Sequence, residues 1–319
     1  MPPLFRLAHI SDLHVLDLTG VSPLQFLNKR CTGALNLLGR RRKAHPIQVA
    51  EALMARLTGP DLDHVVITGD LTNLALESEF ARARQLIDRL GGPARVTVIP
   101  GNHDVYLGQT LTNRRFEHWF SEFLADSPQV AQTARTLGRD YYPFVRAPAD
   151  HIRIYGLSSA VPTPPFFARG EIGTNQLIRL QQLVYAEPAA VTIRIVLVHH
   201  NLHKRGYVAE RTAQLADRPA LAAVLREIRA TLVLHGHTHT AHQGHLLGDR
   251  GEIVPVIGCG SSTWHRRDHE LAKFNLIELT AQGIERVVSH CYRAQTQTYE
   301  QEATDLSQRA LDPRAAIQV

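Results

Sequence analysis

Cysteine is nearly absent from the 319-residue chain: Cys31, Cys259 and Cys291 are far apart and odd in number. No C-x-x-C pair occurs, which excludes a disulfide framework and a thiolate zinc site. No apolar run approaches the ~20 residues that a transmembrane helix needs. The opening Met-Pro-Pro-Leu-Phe-Arg lacks the apolar centre of a signal peptide, so a soluble, cytoplasmic protein is expected. Acidic residues are missing between Leu18 and Ala50, where Lys29, Arg30, Arg40, Arg41, Arg42 and Lys43 supply six cations. Those six exceed the net +5 of the whole chain, so the remainder is slightly acidic. A basic character confined to one segment argues against nucleic acid as a partner. At 44% hydrophobic and 20% charged, the composition is that of a globular protein with a sizeable core. Histidine is in surplus, with eighteen residues clustered near the ends of expected strands.

Strand and helix alternate through the first two-thirds of the sequence. Leu4–Ile10, His64–Thr68, Arg95–Ile99, His151–Leu157, Ile193–Val198 and Thr231–Leu234 read as strands. Pro46–Leu57, Glu77–Leu90, Asn113–Leu124, Asn175–Tyr185 and Pro219–Arg229 read as helices. Ile253–Ile257 and Phe274–Leu279 are late strands. The alternation predicts a layered α/β domain over residues 1–300, with a basic helical insertion at about 22–44 and a loose tail at 301–319.

Five short motifs each follow an expected strand: Asp12-Leu13-His14, Gly69-Asp70-Leu71-Thr72-Asn73, Gly101-Asn102-His103-Asp104, His199-His200 and Gly236-His237-Thr238-His239. In α/β sheets, sites are built in the crevice beyond the carboxyl ends of the strands. Taken singly, Asp12 or Asp70 could be a helix N-cap. Five strands delivering carboxylate, amide and imidazole to one edge is not what core packing produces. Such a mixed oxygen and nitrogen set suits Mn, Fe or Zn better than Mg or Ca.

In this order the motifs resemble the calcineurin-like metallophosphoesterase superfamily, with the pattern D-x-H, G-D-x-x-N, G-N-H-D/E, H and G-H-x-H. The likeness is nearest to the bacterial phosphodiesterase branch that includes class III cyclic-nucleotide enzymes. The resemblance implies a central two-sheet β-sandwich flanked by helices in four layers, and two metal ions. Asp12, His14 and His239 would hold the first ion and Asn102, His199 and His237 the second, with Asp70 bridging both. His200 adjoins His199 and is the alternative ligand. The resemblance places His103 over the substrate as a proton donor to the leaving oxygen, with Asp104 orienting its ring.

The chemistry of the residues agrees. A carboxylate has two oxygens, so Asp70 could bind one metal with each. His237 and His239 are two apart, so in extended backbone they point to opposite sides, which fits one histidine per metal. Asn73 is expected to brace the Asp70 loop through its side chain. His9, His64, His118, His151, His242, His245 and His290 are assigned to surface or satisfied core, and His203 is left open.

Where relatives that cleave cyclic nucleotides or glycerophosphodiesters often continue H-H-P-P, this chain has His199-His200-Asn201-Leu202. That difference touches substrate choice rather than the metal ligands. The loop Pro162–Gly170 either presents Phe166, Phe167 and Arg169 to the cleft or is an ordinary turn burying two phenylalanines. The basic segment Asn28–Lys43 is either a docked insertion or a contact for anionic membrane. The expected activity is phosphodiester hydrolysis of a small substrate by attack of a metal-bound hydroxide. The alternatives are a hydrolase of lipid-linked diphosphates or glycerophosphodiesters at a membrane surface, and a metal-free scaffold without catalysis.

Overall fold

The computed structural model describes residues 4–26, 29–31, 46–248, 251–264, 271–305, 312 and 315–318. Six strands form the first sheet: β1 (Phe5–Ile10), β2 (His64–Ile67), β3 (Val96–Val98), β10 (Lys273–Thr280), β11 (Gly283–Arg293) and β12 (Thr298–Asp305), in the order β12-β11-β10-β1-β2-β3. The second contains β4 (Phe144–Ala149), β5 (Ile152–Gly156), β6 (Ile193–Leu197), β7 (Leu232–His235), β8 (His242–Leu247) and β9 (Ile253–Gly258), ordered β4-β5-β6-β7-β9-β8. Helices α1 (Ile47–Leu57), α2 (Glu77–Asp88), α3 (Gly108–Thr112), α4 (Arg115–Phe120), α5 (Pro128–Leu137), α6 (Thr174–Tyr185), α7 (Tyr207–Thr212) and α8 (Arg218–Glu227) lie between them in sequence. The result is the expected α/β sandwich of two sheets flanked by helices.

Period-two alternation divides the core. Ile193, Ile195 and Leu197 of β6, with Leu232 and Leu234 of β7, join Ile10, Val65 and Ile67 of the first sheet in one buried cluster. The intervening Val196 and Val233 face the other way, onto Leu177 and Leu180 of α6 and Leu221 and Leu225 of α8. Strands covered on both faces read as continuous apolar runs, which is why these were visible in the sequence. Helix α1 shows the complementary pattern, burying Val49, Ala50, Leu53, Met54 and Leu57 at helical spacing.

Three expectations are corrected. Residue 300 is not a boundary, because β12 runs through it and pairs with β11. The last residues are not all loose: Ala316 bridges His245, and Ile317 donates to the His245 carbonyl and packs into the second cluster. Strands β4, β8, β11 and β12 and helices α3, α5 and α7 were not foreseen; β8 opens His-Gln-Gly-His, which has no apolar alternation. Most of the expected basic helix at 22–44 lies outside the described residues. Within it, Arg30 is buried and donates to the carbonyls of Leu74 and Ala75, and Lys29 donates to Thr163 Oγ1 at 2.9 Å. Among the described residues, no helix is long and apolar enough to cross a membrane.

The loops after β1, β2, β6 and β7 are laced together. Asp12 N donates to Gly69 O at 3.0 Å, His14 N to Asp70 O at 3.0 Å, and Gly236 N to His199 O at 3.1 Å. The lacing is tight enough to demand glycine. A Cβ on Gly101 would lie 2.2 Å from Asp70 Oδ1 and 2.3 Å from Asp70 N, against backbone that cannot swing aside. Gly101→Ala should therefore lower stability by at least about 1–3 kcal/mol, as overpacking does, and should displace the Asp70 carboxylate. Thermal melts and metal content measured together check this; a variant with wild-type melting and wild-type metal content would contradict it.

Candidate metal centre

The five motifs meet at one place. His14 Nε2 lies 3.8 Å from Asp12 Oδ1, 3.7 Å from Asp70 Oδ2 and 2.9 Å from His239 Nε2. His239 Nε2 is 3.3 Å from Asp12 Oδ1. These four donor atoms lie within 4.8 Å of one another. On the other side of Asp70, His199 Nε2 is 3.4 Å from Asp70 Oδ2 and 3.1 Å from Asn102 Oδ1, and His237 Nδ1 is 3.0 Å from that same amide oxygen. The structure thus brings together all seven expected ligands in two groups that share Asp70.

Asp70 joins the groups through one oxygen rather than two. Its Oδ1 accepts the His103 backbone N–H at 2.8 Å, while Oδ2 faces both His14 and His199. Burial would raise this carboxyl, but the imidazoles of His199, His103 and His14 outweigh it and hold it well below the usual carboxylate range. Burial would likewise lower His199, yet Asp70 raises it to about 9.

In His199 and His237 the ring nitrogen not aimed at the centre is held by a backbone carbonyl. His199 Nδ1 bonds Thr68 O at 2.7 Å, and His237 Nε2 bonds Ala213 O at 3.1 Å. Such bonds fix the ring orientation and turn the opposite nitrogen's lone pair toward the centre. His200 is different: Nδ1 meets Ser159 Oγ at 2.7 Å and Nε2 meets Ala168 O at 3.0 Å, so both nitrogens are engaged away from the centre. Of the adjacent pair, His199 is the one whose Nε2 faces Asp70 and Asn102.

Five of these residues occupy the left-handed region of the backbone: Asp12 (φ +53°), His14 (+45°), Asp70 (+53°), His237 (+69°) and His239 (+57°). Non-glycine residues there cost of order 1–3 kcal/mol each and persist only where the surroundings over-determine them. The Asp12 turn shows how, since Ser261 Oγ donates to Asp12 O and Thr263 Oγ1 to Leu13 O, each at 2.7 Å. His237 and His239 are therefore not in extended backbone, although they still diverge, one toward Asn102 and the other toward Asp12.

Two supporting roles are exchanged relative to the sequence reading. Asp104 does not touch the His103 ring; its carboxylate accepts N–H groups of Leu71, Thr72 and Gly101 and the Thr72 hydroxyl, bracing the Asp70 loop. The ring is oriented by Asn73, through its backbone carbonyl, 2.6 Å from His103 Nδ1. Tyr106 stacks with His103 at 5.5 Å between centroids, Lys29 lies 4.6 Å over the Tyr106 ring, and Trp264 meets His239 edge-on at 5.6 Å. Tyr106 and Trp264 were not singled out from the sequence, because no motif spacing marks them, whereas Lys29 belongs to the basic segment named there. Phe166 is 81% exposed, so its loop does not bury two phenylalanines.

The donor set fits metal ions. Imidazole nitrogens and carboxylate and amide oxygens converge in a largely buried site where the His14 and His239 ring nitrogens lie 2.9 Å apart, a mixed donor set suited to transition-metal ions.

Comparison with known proteins gives the same picture. The family model for calcineurin-like phosphoesterases matches residues 5–241. A cAMP/cGMP dual specificity phosphodiesterase of Mycobacterium tuberculosis is 25% identical over 273 residues, covering 85% of this chain and 71% of that protein. A dimetal phosphatase from Danio rerio superposes with a TM-score of 0.56 at 16% identity, over 90% of this chain and 95% of that one. A purple acid phosphatase from yellow lupin seeds gives 0.51 at 12% identity, over 94% of this chain and 53% of that one. These two likenesses show the fold, and the family model extends across all five motifs: the chain belongs to the calcineurin-like phosphoesterases.

Proposed function

We propose that the protein is a dinuclear metal-dependent phosphodiesterase acting on small diesters such as cyclic nucleotides, with monoesters as lesser substrates. The observation that carries this reading is Asp70 Oδ2, which faces one ligand group through His14 and another through His199. Asp12, His14, Asp70 and His239 would hold one ion; Asp70, Asn102, His199 and His237 would hold the other. When bound, a pair of Mn, Fe or Zn ions supplies Lewis acidity that neutralises phosphate oxygens and activates water. Asn102 contributes a neutral oxygen, which limits the negative charge facing an anionic substrate.

His103 would act as the general acid. A proton on Nδ1 is donated to Asn73 O, so Nε2 is the nitrogen able to deliver a second proton to the leaving oxygen. Lys29 approaches the same Tyr106 ring that stacks on His103, which supports a place for Lys29 itself beside the cleft. The cyclic-nucleotide activity in the name of the 25%-identical mycobacterial relative supports the diester preference.

Chelation should abolish hydrolysis, and restoring Mn, Zn or Fe singly should return it. A chromogenic diester should then turn over faster than the matching monoester. Activity on the monoester alone would overturn the diester reading.

His103→Ala should keep metal and fold while turnover falls by roughly 10²–10⁴, the range for acid–base assistance. The loss should shrink for substrates with good leaving groups, which need less protonation. Equal losses across a leaving-group series would remove the acid role.

A further inference from the structure

A second group of histidines lies apart from the seven. His203, His235 and His242 each present one ring nitrogen, and the three atoms lie within 4.8 Å of one another. His235 is the last residue of β7, His242 the first of β8, and His203 follows the His199-His200 loop. Register makes the convergence possible: His235 and His242 both pair with Gly258, which lies between them on β9. A Cβ on Gly258 would lie 2.4 Å from His235 Cε1 and 2.8 Å from its Nε2, so a side chain there would fill the cradle.

One nitrogen of each ring is unsatisfied. His203 Nδ1, His235 Nε2 and His242 Nδ1 are buried without a hydrogen-bond partner among the described atoms. A buried polar atom left unpaired is destabilising, so three in one cluster call for a common partner. His235 Nδ1 bonds Gly236 O at 3.1 Å, which leaves the Nε2 lone pair outward, the second-sphere arrangement seen when histidine holds a metal. Arg205 and Arg218 lie near His203, and Arg218 is paired with Glu210 Oε2 at 3.0 Å, so its charge is partly offset.

We propose that His203, His235 and His242 form a mononuclear site for a divalent transition metal, with zinc the best match to three neutral imidazoles and one open position. The His203 and His242 rings stack at 3.6 Å and 12°, so they must tilt apart to aim both lone pairs at one ion; both are only partly buried, which permits this. The site would clamp together the His199-His200 loop and the Gly236-His237 turn. Each of these carries a ligand of the second metal group, so occupancy would rigidify the walls of the centre.

Zinc counted after equilibrium dialysis of the full chain tests the site. Wild type should bind one more equivalent than the His203→Ala/His242→Ala double variant, and Asp70→Ala should keep that extra equivalent. Equal counts for wild type and the double variant would overturn the proposal. Because variants can misfold, wild-type crystals grown with Zn²⁺ give an independent readout: an anomalous peak among the three rings supports the site, and peaks confined to the Asp70 centre refute it.

Discussion

The structure depends on a single buried oxygen shared by two imidazoles. Asp70 Oδ2 lies 3.7 Å from His14 Nε2 and 3.4 Å from His199 Nε2, and those histidines come from different sheets. A carboxylate so buried would ordinarily be forced toward its neutral form, and the surrounding imidazoles reverse that. Much of the local architecture keeps that oxygen in place. His103 N–H occupies Oδ1, Asp104 holds the loop from behind, and Gly101 leaves room for the turn. The two sheets are then tied across the same point, by His199 Nδ1 to Thr68 O and by His237 N–H to Asp12 Oδ2.

Strain is concentrated at the same place. Half of the ten non-glycine residues with positive φ among those described belong to the ligand set. A turn ending each strand aims carboxylates and imidazoles inward, whereas extended backbone would alternate them across the sheet. The stored cost is met by hydrogen bonds from Ser261 and Thr263 and by apolar layers on both faces of the sheets.

The parts legible in the sequence were those with a local signature. Buried strands such as β6 and β7 read as apolar runs, and amphipathic helices such as α1 and α6 read by period. The candidate ligands were legible because Asp, Asn and His recur after strands in a fixed order. What held them was not, because carbonyls of Thr68, Asn73 and Ala213 orient three of the rings and every residue carries a carbonyl. Asp104 and Asn73 were exchanged for that reason: side-chain chemistry suggested one assignment and backbone position decided another. His235 and His242 likewise look ordinary until the register places them on either side of Gly258. Strands β8, β11 and β12 went unseen because their apolar alternation is weak, although each pairs with a neighbour in sequence.

Metal stoichiometry across three single variants probes the shared oxygen directly. If Asp70 joins two ions, Asp70→Ala should lose two equivalents relative to wild type, while His237→Ala and His239→Ala should lose one each. An Asp70→Ala protein that folds and loses only one equivalent, or none, would show that the two ligand groups do not share this carboxylate.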